Sequence, residues 1–198
     1  MKLRGGILFG GKSGEHEVSI QSAKNIYEAL DREKYEVLLV GVDKQGRWRL
    51  GSDATFILNA SNPKLIALNA KAPAVVPVEE PGRGALALKD PETGALRQGV
   101  DVFFPIMHGT YGEDGSLQGL LRLMNAPFVG AGVLGSAVGM DKDVMKRLMR
   151  DAGLPVPRFR ALTDHELPTA ALPGIATELG LPLFVKPARA GSSVGVMK

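Results

Sequence analysis

Residues 3–9 (LRGGILF) end in an apolar run held between glycines, the pattern of a strand buried on both faces as in a parallel sheet. The period then changes. Ala23, Ile26, Tyr27 and Leu30 stand at i, i+3, i+4 and i+7, which predicts an amphipathic helix over residues 17–30. Residues 36–42 (EVLLVGV) supply a second apolar strand, so the opening reads as strand, helix, strand, with a parallel pair and a right-handed crossover. Across residues 43–98, Pro63, Pro73, Pro77, Pro81 and Pro91 punctuate short apolar pieces, which predicts short strands and loops. Residues 101–107 (DVFFPIM) form another apolar strand, in which Pro105 implies a sheet edge or a strand end.

Leu117, Leu120, Leu121 and Met124 outline the face of a further helix that Pro127 ends. The next helix follows Asp141, with Val144, Met145, Leu148, Met149 and Ala152 on one face, and Gly153 with Pro155 stops it. Residues 153–157 read as a linker and residues 170–179 as a helix. Residues 183–185 read as a strand that runs into Lys186-Pro187 and the small-residue loop 188–195. No internal repeat or low-complexity tract interrupts the pattern.

With 198 residues and 44% hydrophobic content, the chain is able to bury a core as one domain or two small ones. Lys and Arg number 24 against 21 Asp and Glu, too small a surplus for a dedicated basic face, so nucleic acid is not expected as a partner. The absence of cysteine excludes disulfides, thiolate nucleophiles and Cys-based zinc sites, and suits a reducing cytoplasm. Only Ile7, Leu8 and Phe9 follow the charged start before Gly10, too short an apolar region for a signal peptide. The longest weakly apolar stretch, residues 130–140, is about half the length needed to span a bilayer. Neither export nor membrane insertion is expected.

Gly6, four residues and then Gly11-Lys12-Ser13 satisfy the phosphate-loop spacing G-x-x-x-x-G-K-S, but the chemistry refuses the match. A phosphate loop needs its first glycine after the strand so that the following amides can curl around the anion, and here Ile7, Leu8 and Phe9 are the strand. The spacing Gly10-Gly11-Lys12-Ser13-Gly14 is also wrong for a dinucleotide fingerprint, which argues against an oxidoreductase. What remains is a glycine turn that delivers Glu15 to the carboxyl end of a strand, where open α/β sheets bind ligands. Taken alone, Glu15 is equally explained as a carboxylate favoured at a helix start.

The stretch GGKSGEHEVSIQSA, residues 10–23, resembles the opening signature of D-alanine:D-alanine ligases, members of the ATP-grasp superfamily. That resemblance implies that Glu15 receives the ammonium of the first D-alanine, while Ser13, His16 and Glu17 serve as turn or scaffold residues. A second block, HGTYGEDGSLQG at residues 108–119, resembles the family's H-G-x-x-G-E-D-G-x-x-Q-G motif. It implies that His108 hydrogen-bonds the bound amino acid or its acyl phosphate, although alone it would read equally well as a surface loop histidine. Glu113 and Asp114 have a plainer explanation in helix capping and turn formation.

A third block, from Gly130-Ala131-Gly132 to Met140-Asp141-Lys142, resembles the start of the family's central domain and implies that Lys142 contacts ATP phosphates. Lys146, Arg147 and Arg150 continue that helix as ordinary solvated charges. The fourth block, FVKPARAGSSVG at residues 184–195, resembles the ATP-grasp lysine strand and its phosphate loop. Without that context it would read as a flexible strand connection. It implies ATP binding by Lys186, Gly191, Ser192, Ser193 and Val194, with Ser192 also a catalytic partner across the cleft from Glu15.

The four blocks cover nearly the whole chain in the family's order. They imply an α/β protein with a Rossmann-like (pre-ATP-grasp) parallel-sheet domain over residues 1–138, followed by the start of an α+β ATP-grasp central domain over residues 139–198. The implied reaction joins two D-alanines through an acyl phosphate for peptidoglycan synthesis, with ATP and Mg2+ or Mn2+, in a cytoplasmic homodimer. The family's metal ligands, lid and adenine pocket are expected beyond Lys198, so the 198-residue chain alone is expected to lack turnover. Two alternatives stay open: a D-alanyl-D-lactate or D-alanyl-D-serine ligase, and a module that binds or dimerises without catalysis.

Overall fold

The computed structural model describes residues 2–51, 56–59, 61–62, 66–80, 85–167, 172–191 and 193–198. It divides into two compact units, Met1–Ser136 and Ala137–Lys198. Pro63, Pro81, residues 170–171 and Ser192 lie outside the described residues.

The first unit opens with β1 (Leu3–Gly10), α1 (His16–Ala29) and β2 (Tyr35–Val42). β1 pairs in parallel with β2, from Leu3 opposite Tyr35 to Gly10 opposite Val42. Alternation along β1 sends Ile7 and Phe9 into a core with Ile20 and Ala23 of α1, Leu39 and Phe56. Leu8 points the other way, into a core with Val40, Val42, Phe103, Leu117 and Leu121. From Gly6 to Gly10 the strand is therefore free of polar side chains because both its faces are buried there. Gly6 sits within it, opposite Leu38 on one side and Phe103 on the other, so it is a strand residue and not the first glycine of a phosphate loop.

The 43–100 region contains β3 (Trp48–Gly51), β4 (Ile57–Leu58), β5 (Ala67–Leu68), β6 (Ala74–Glu80), β7 (Ala85–Lys89) and β8 (Leu96–Val100). β9 (Val102–Pro105) follows, and the seven-stranded sheet has the order β8-β7-β6-β3-β2-β1-β9. Only β2-β1-β9 is parallel. The remaining pairs, from β2 through β3, β6 and β7 to β8, are antiparallel. The expected parallel sheet is thus a mixed one. Turns as tight as Asp43–Arg47, where Asp43 accepts the Gln45 and Arg47 amides, leave no chain for a crossover. Pro105 ends β9 on the sheet's outer strand, as its missing N–H requires.

Arg4 and Asp101 clamp β1 to the start of β9. The Asp101 carboxylate accepts the Arg4 amide at 2.8 Å and its Nε at 3.0 Å, and the Asp101 amide returns a bond to the Arg4 carbonyl. The Arg4 guanidinium bond, aided by the Arg4 amide against partial burial, holds the Asp101 carboxyl below its usual range. A carboxyl depressed on folding contributes stability above its unfolded value and loses it as pH falls through the folded one. Asp101→Asn is expected to lower the urea midpoint of the full-length protein near neutrality, with the gap to wild type closing as pH falls below about 4. A gap that is constant across that range would contradict the clamp.

α2 (Ser116–Leu123) packs Leu117 and Leu121 into the core. α3 (Val133–Met140) contains the point of division between the units. This helix is absent from the periodicity reading because Gly135 and Gly139 interrupt a stretch whose one polar residue is Ser136, leaving no polar face to detect.

In the second unit, α4 (Lys142–Asp151) begins at an Asp141 cap whose Oδ1 accepts the Asp143 and Val144 amides, both at 3.1 Å. α5 (Leu172–Leu179) follows. The strand expected at residues 183–185 is a single antiparallel bridge between Val185 and Met197, closed by reciprocal 2.9 Å bonds. Pro187 stands at the next donor position without an amide hydrogen, which stops the ladder on that side. Among the described residues no helix is long and apolar enough to cross a membrane.

Candidate functional site

The first unit gathers its candidate residues where β1 and β9 end. Gly10 leaves β1 at φ +88°, and Gly11 donates its amide to the Val42 carbonyl at 2.7 Å. The chain thereby turns sharply enough for Glu15 to become the first cap of α1. Glu15 stands at the N-terminal cap of α1 but makes no side-chain capping bond. Its side chain is buried, with the residue only 6% exposed, and Oε1 has no hydrogen-bond partner. A buried carboxylate oxygen in that state is costly unless a cation or donor arrives to pair with it.

Three serine hydroxyls bind this turn to the segment after β9. Ser13 donates to the His108 carbonyl at 2.6 Å and accepts the Glu15 amide at 3.2 Å. Ser19, fully buried, donates to the Ile106 carbonyl at 2.6 Å and accepts the Gly10 amide at 2.8 Å. Ser22 lies 2.9 Å from Nε2 of His108. Glu15, Ser19 and Ser22 fall at i, i+4 and i+7, so one stripe of α1 faces the 106–109 segment. Sequence reasoning missed Ser19 and Ser22; that spacing from Glu15 was the available signal.

Gly109 sits against the acid. At φ +74°, a Cβ there would stand 2.4 Å from Oε2 of Glu15, so only glycine admits the backbone this close. Glu113 accepts the Gly109 amide at 2.7 Å, and its other oxygen lies 3.9 Å from Nδ1 of His108. Asp114 accepts the amides of Tyr111 and Ser116, which lowers its carboxyl pKa against an opposing burial effect. These acids shape the turn, and α2 itself is capped by Gly115 without a side-chain bond. Gln118 is buried and donates to the Gly112 carbonyl at 2.9 Å. His16 donates through Nδ1 to the Gly11 carbonyl at 2.7 Å, and Glu17 pairs with Lys44 at 2.6 Å, so both are scaffold.

In the second unit residues 188–190 dock on the start of α4. The Lys142 amide donates to Ala188 at 3.0 Å, and its ammonium donates to the Ala190 carbonyl. Arg189 donates to Asp141 at 2.8 Å, which holds the Asp141 carboxyl below its usual range. Lys142 is thus brought beside the loop that carries Gly191, Ser193 and Val194, while Lys186 is exposed. Ser193 adopts φ +61° and the Val194 amide donates to the Gly191 carbonyl at 3.0 Å. Ser192 lies outside the described residues. Arg147 pairs with Asp143 at 2.8 Å, and Lys146 stands over the Phe159 ring at 4.9 Å.

Residues 4–131 match the family model described as the D-ala D-ala ligase N-terminus, and residues 148–198 match that of the D-ala D-ala ligase C-terminus. D-alanine–D-alanine ligase A of Chromobacterium violaceum is 57% identical over all of this chain and 53% of its own length. Among solved structures, the D-alanine-D-alanine ligase from Coxiella burnetii aligns with a TM-score of 0.80 and 35% identity, over 99% of this chain and 54% of its own. The VanG D-Ala:D-Ser ligase from Enterococcus faecalis aligns with a TM-score of 0.75 and 31% identity, over 99% of this chain and 55% of its own. The chain spans about half the length of the curated relatives it matches.

Proposed function

Because this chain belongs to the D-ala D-ala ligase family, we propose that the full-length protein joins two D-alanines at the expense of ATP, supplying the dipeptide for peptidoglycan. The observation that carries this reading is the buried Glu15 carboxylate, whose Oε1 lacks a partner. An ammonium is the group that satisfies it, and a free amino acid brings one.

In the proposed reaction the carboxylate of the first D-alanine takes the γ-phosphoryl of ATP, releasing ADP and forming an acyl phosphate. The amine of the second D-alanine attacks the carbonyl, loses a proton and expels phosphate. Glu15 anchors the first ammonium, and His108 hydrogen-bonds the activated carboxyl group. Lys142, Lys186, Gly191, Ser193 and Val194 are assigned to the nucleotide phosphates, with Ser192 assigned from the family motif. Fixed charges and amides of this kind act by positioning and by neutralising the transferred phosphoryl group.

The family implies Mg2+ or Mn2+. Among the described residues, however, no group of three or more His, Cys, Asp or Glu could hold a metal ion, so no step assigned to this chain uses one. The proposal places the enzyme in the cytoplasm, since the reaction draws on cytoplasmic ATP, and takes a homodimer from the family resemblance.

The test is to incubate the full-length protein with ATP and D-alanine and to follow ADP and D-alanyl-D-alanine by mass spectrometry. Equal amounts of both are expected, and the absence of dipeptide would overturn the reading. The similarity to VanG favours a second arm in which D-serine competes as the second substrate. Mixed dipeptide as the main product would replace D-alanine by D-serine in that role.

A further inference from the structure

We infer that Ser22 is a positioning residue that holds the His108 ring as its Nδ1–H tautomer, so that His108 meets substrate as a hydrogen-bond donor and not as a base. The inference rests on the proposed ligase reading for its kinetic consequence, and on geometry for the tautomer.

Ser22 Oγ lies 2.9 Å from Nε2, within hydrogen-bond reach. Nδ1 lies 3.9 Å from a Glu113 carboxylate oxygen, too far for a hydrogen bond but close enough for the charge to act. Two neutral arrangements are available. With the proton on Nε2, the ring would donate to Ser22 and turn the Nδ1 lone pair toward a negative carboxylate. With the proton on Nδ1, the N–H dipole faces that carboxylate and Nε2 accepts from the Ser22 hydroxyl. The second arrangement satisfies both neighbours and the first opposes one of them.

The backbone around the ring is fixed independently. Ser13 holds the His108 carbonyl, Ser19 holds that of Ile106, and Glu113 holds the Gly109 amide. Ser22 alone among these bonds reaches the ring, so it governs ring rotation and proton position while the others govern where the residue sits. Nδ1–H makes no hydrogen bond of its own and is left to donate to an oxygen of the bound carboxyl or acyl phosphate. Deleting the hydroxyl frees the ring to rotate and to populate the other tautomer without disturbing that backbone.

The experiment compares full-length wild type, Ser22→Ala and Ser22→Thr by nitrogen-15 NMR of labelled histidine rings, taking as His108 the signals that His108→Gln loses. Wild type and Ser22→Thr are expected to show a protonated Nδ1 and a bare Nε2, and Ser22→Ala a mixture. In the dipeptide assay Ser22→Ala is expected to lose about tenfold in kcat with the KM for ATP unchanged, and Ser22→Thr to recover most of it. A bare Nδ1 in wild type, or a Ser22→Ala kcat within about twofold of wild type, would overturn the inference. Absence of dipeptide synthesis by wild type itself would instead remove the ligase reading, with the ring spectra still deciding the tautomer.

Discussion

Glu15→Gln in the full-length protein is expected to lower kcat/KM for D-alanine by about a thousandfold, because neutralising one member of a buried ion pair costs about 3–5 kcal/mol. The substitution keeps shape while removing the charge and replacing one acceptor oxygen by an NH2 donor, and the KM for ATP should stay as it is. Stability separates this account from a structural one. In the free protein the Glu15 carboxylate is buried and Oε1 is unpartnered, so the amide variant should unfold at no lower a denaturant concentration than wild type. Lost activity with unchanged or increased stability is the expected pair of results. Near-normal D-alanine kinetics would remove Glu15 from substrate binding.

Gly10→Ala is expected to be the most damaging change to the fold. Gly10 holds φ +88°, and a Cβ there would lie 2.3 Å from the Val42 carbonyl oxygen, which belongs to the paired strand and has no free side chain to move aside. Left-handed geometry and backbone overlap together should cost about 3 kcal/mol of unfolding free energy, read from the shift of the urea midpoint. Gly5→Ala provides the contrast from the same strand. No atom lies within 4 Å of its added Cβ, so little loss is expected. Equal loss from both substitutions would show that the turn at Gly10 is not specially constrained.

The opening β1-α1-β2 unit was legible because its periods are unmixed: a continuous apolar run in β1, and 3.6-residue spacing from Ala23 to Leu30. The antiparallel extension was not. Proline and short strands obscure alternation, and pairing direction is decided by connections whose length is visible only when the strand ends are known. α3 escaped because its glycines and small apolar residues give no contrast between faces.

The site was legible in part for a related reason. Glu15 and His108 stand inside dense, unusual motifs, so residue type and spacing draw attention to both. Ser19 and Ser22 are ordinary helix residues in sequence. Their importance arises from long-range bonds to Ile106 and His108, across 87 and 86 positions of chain. The i, i+4, i+7 spacing from Glu15 marks a shared stripe but not the partner it meets, and the helix was recognised by its apolar stripe, not by the hydroxyl stripe beside it.

The central claim, that the buried acid at the first glycine turn receives an amino acid's ammonium, is tested most directly by a crystal structure of the full-length protein with D-alanine bound. The account predicts the D-alanine nitrogen within hydrogen-bond distance of Glu15 Oε1, next to the Gly109 backbone. A D-alanine whose nitrogen is held elsewhere, with Oε1 still unpaired, would contradict it.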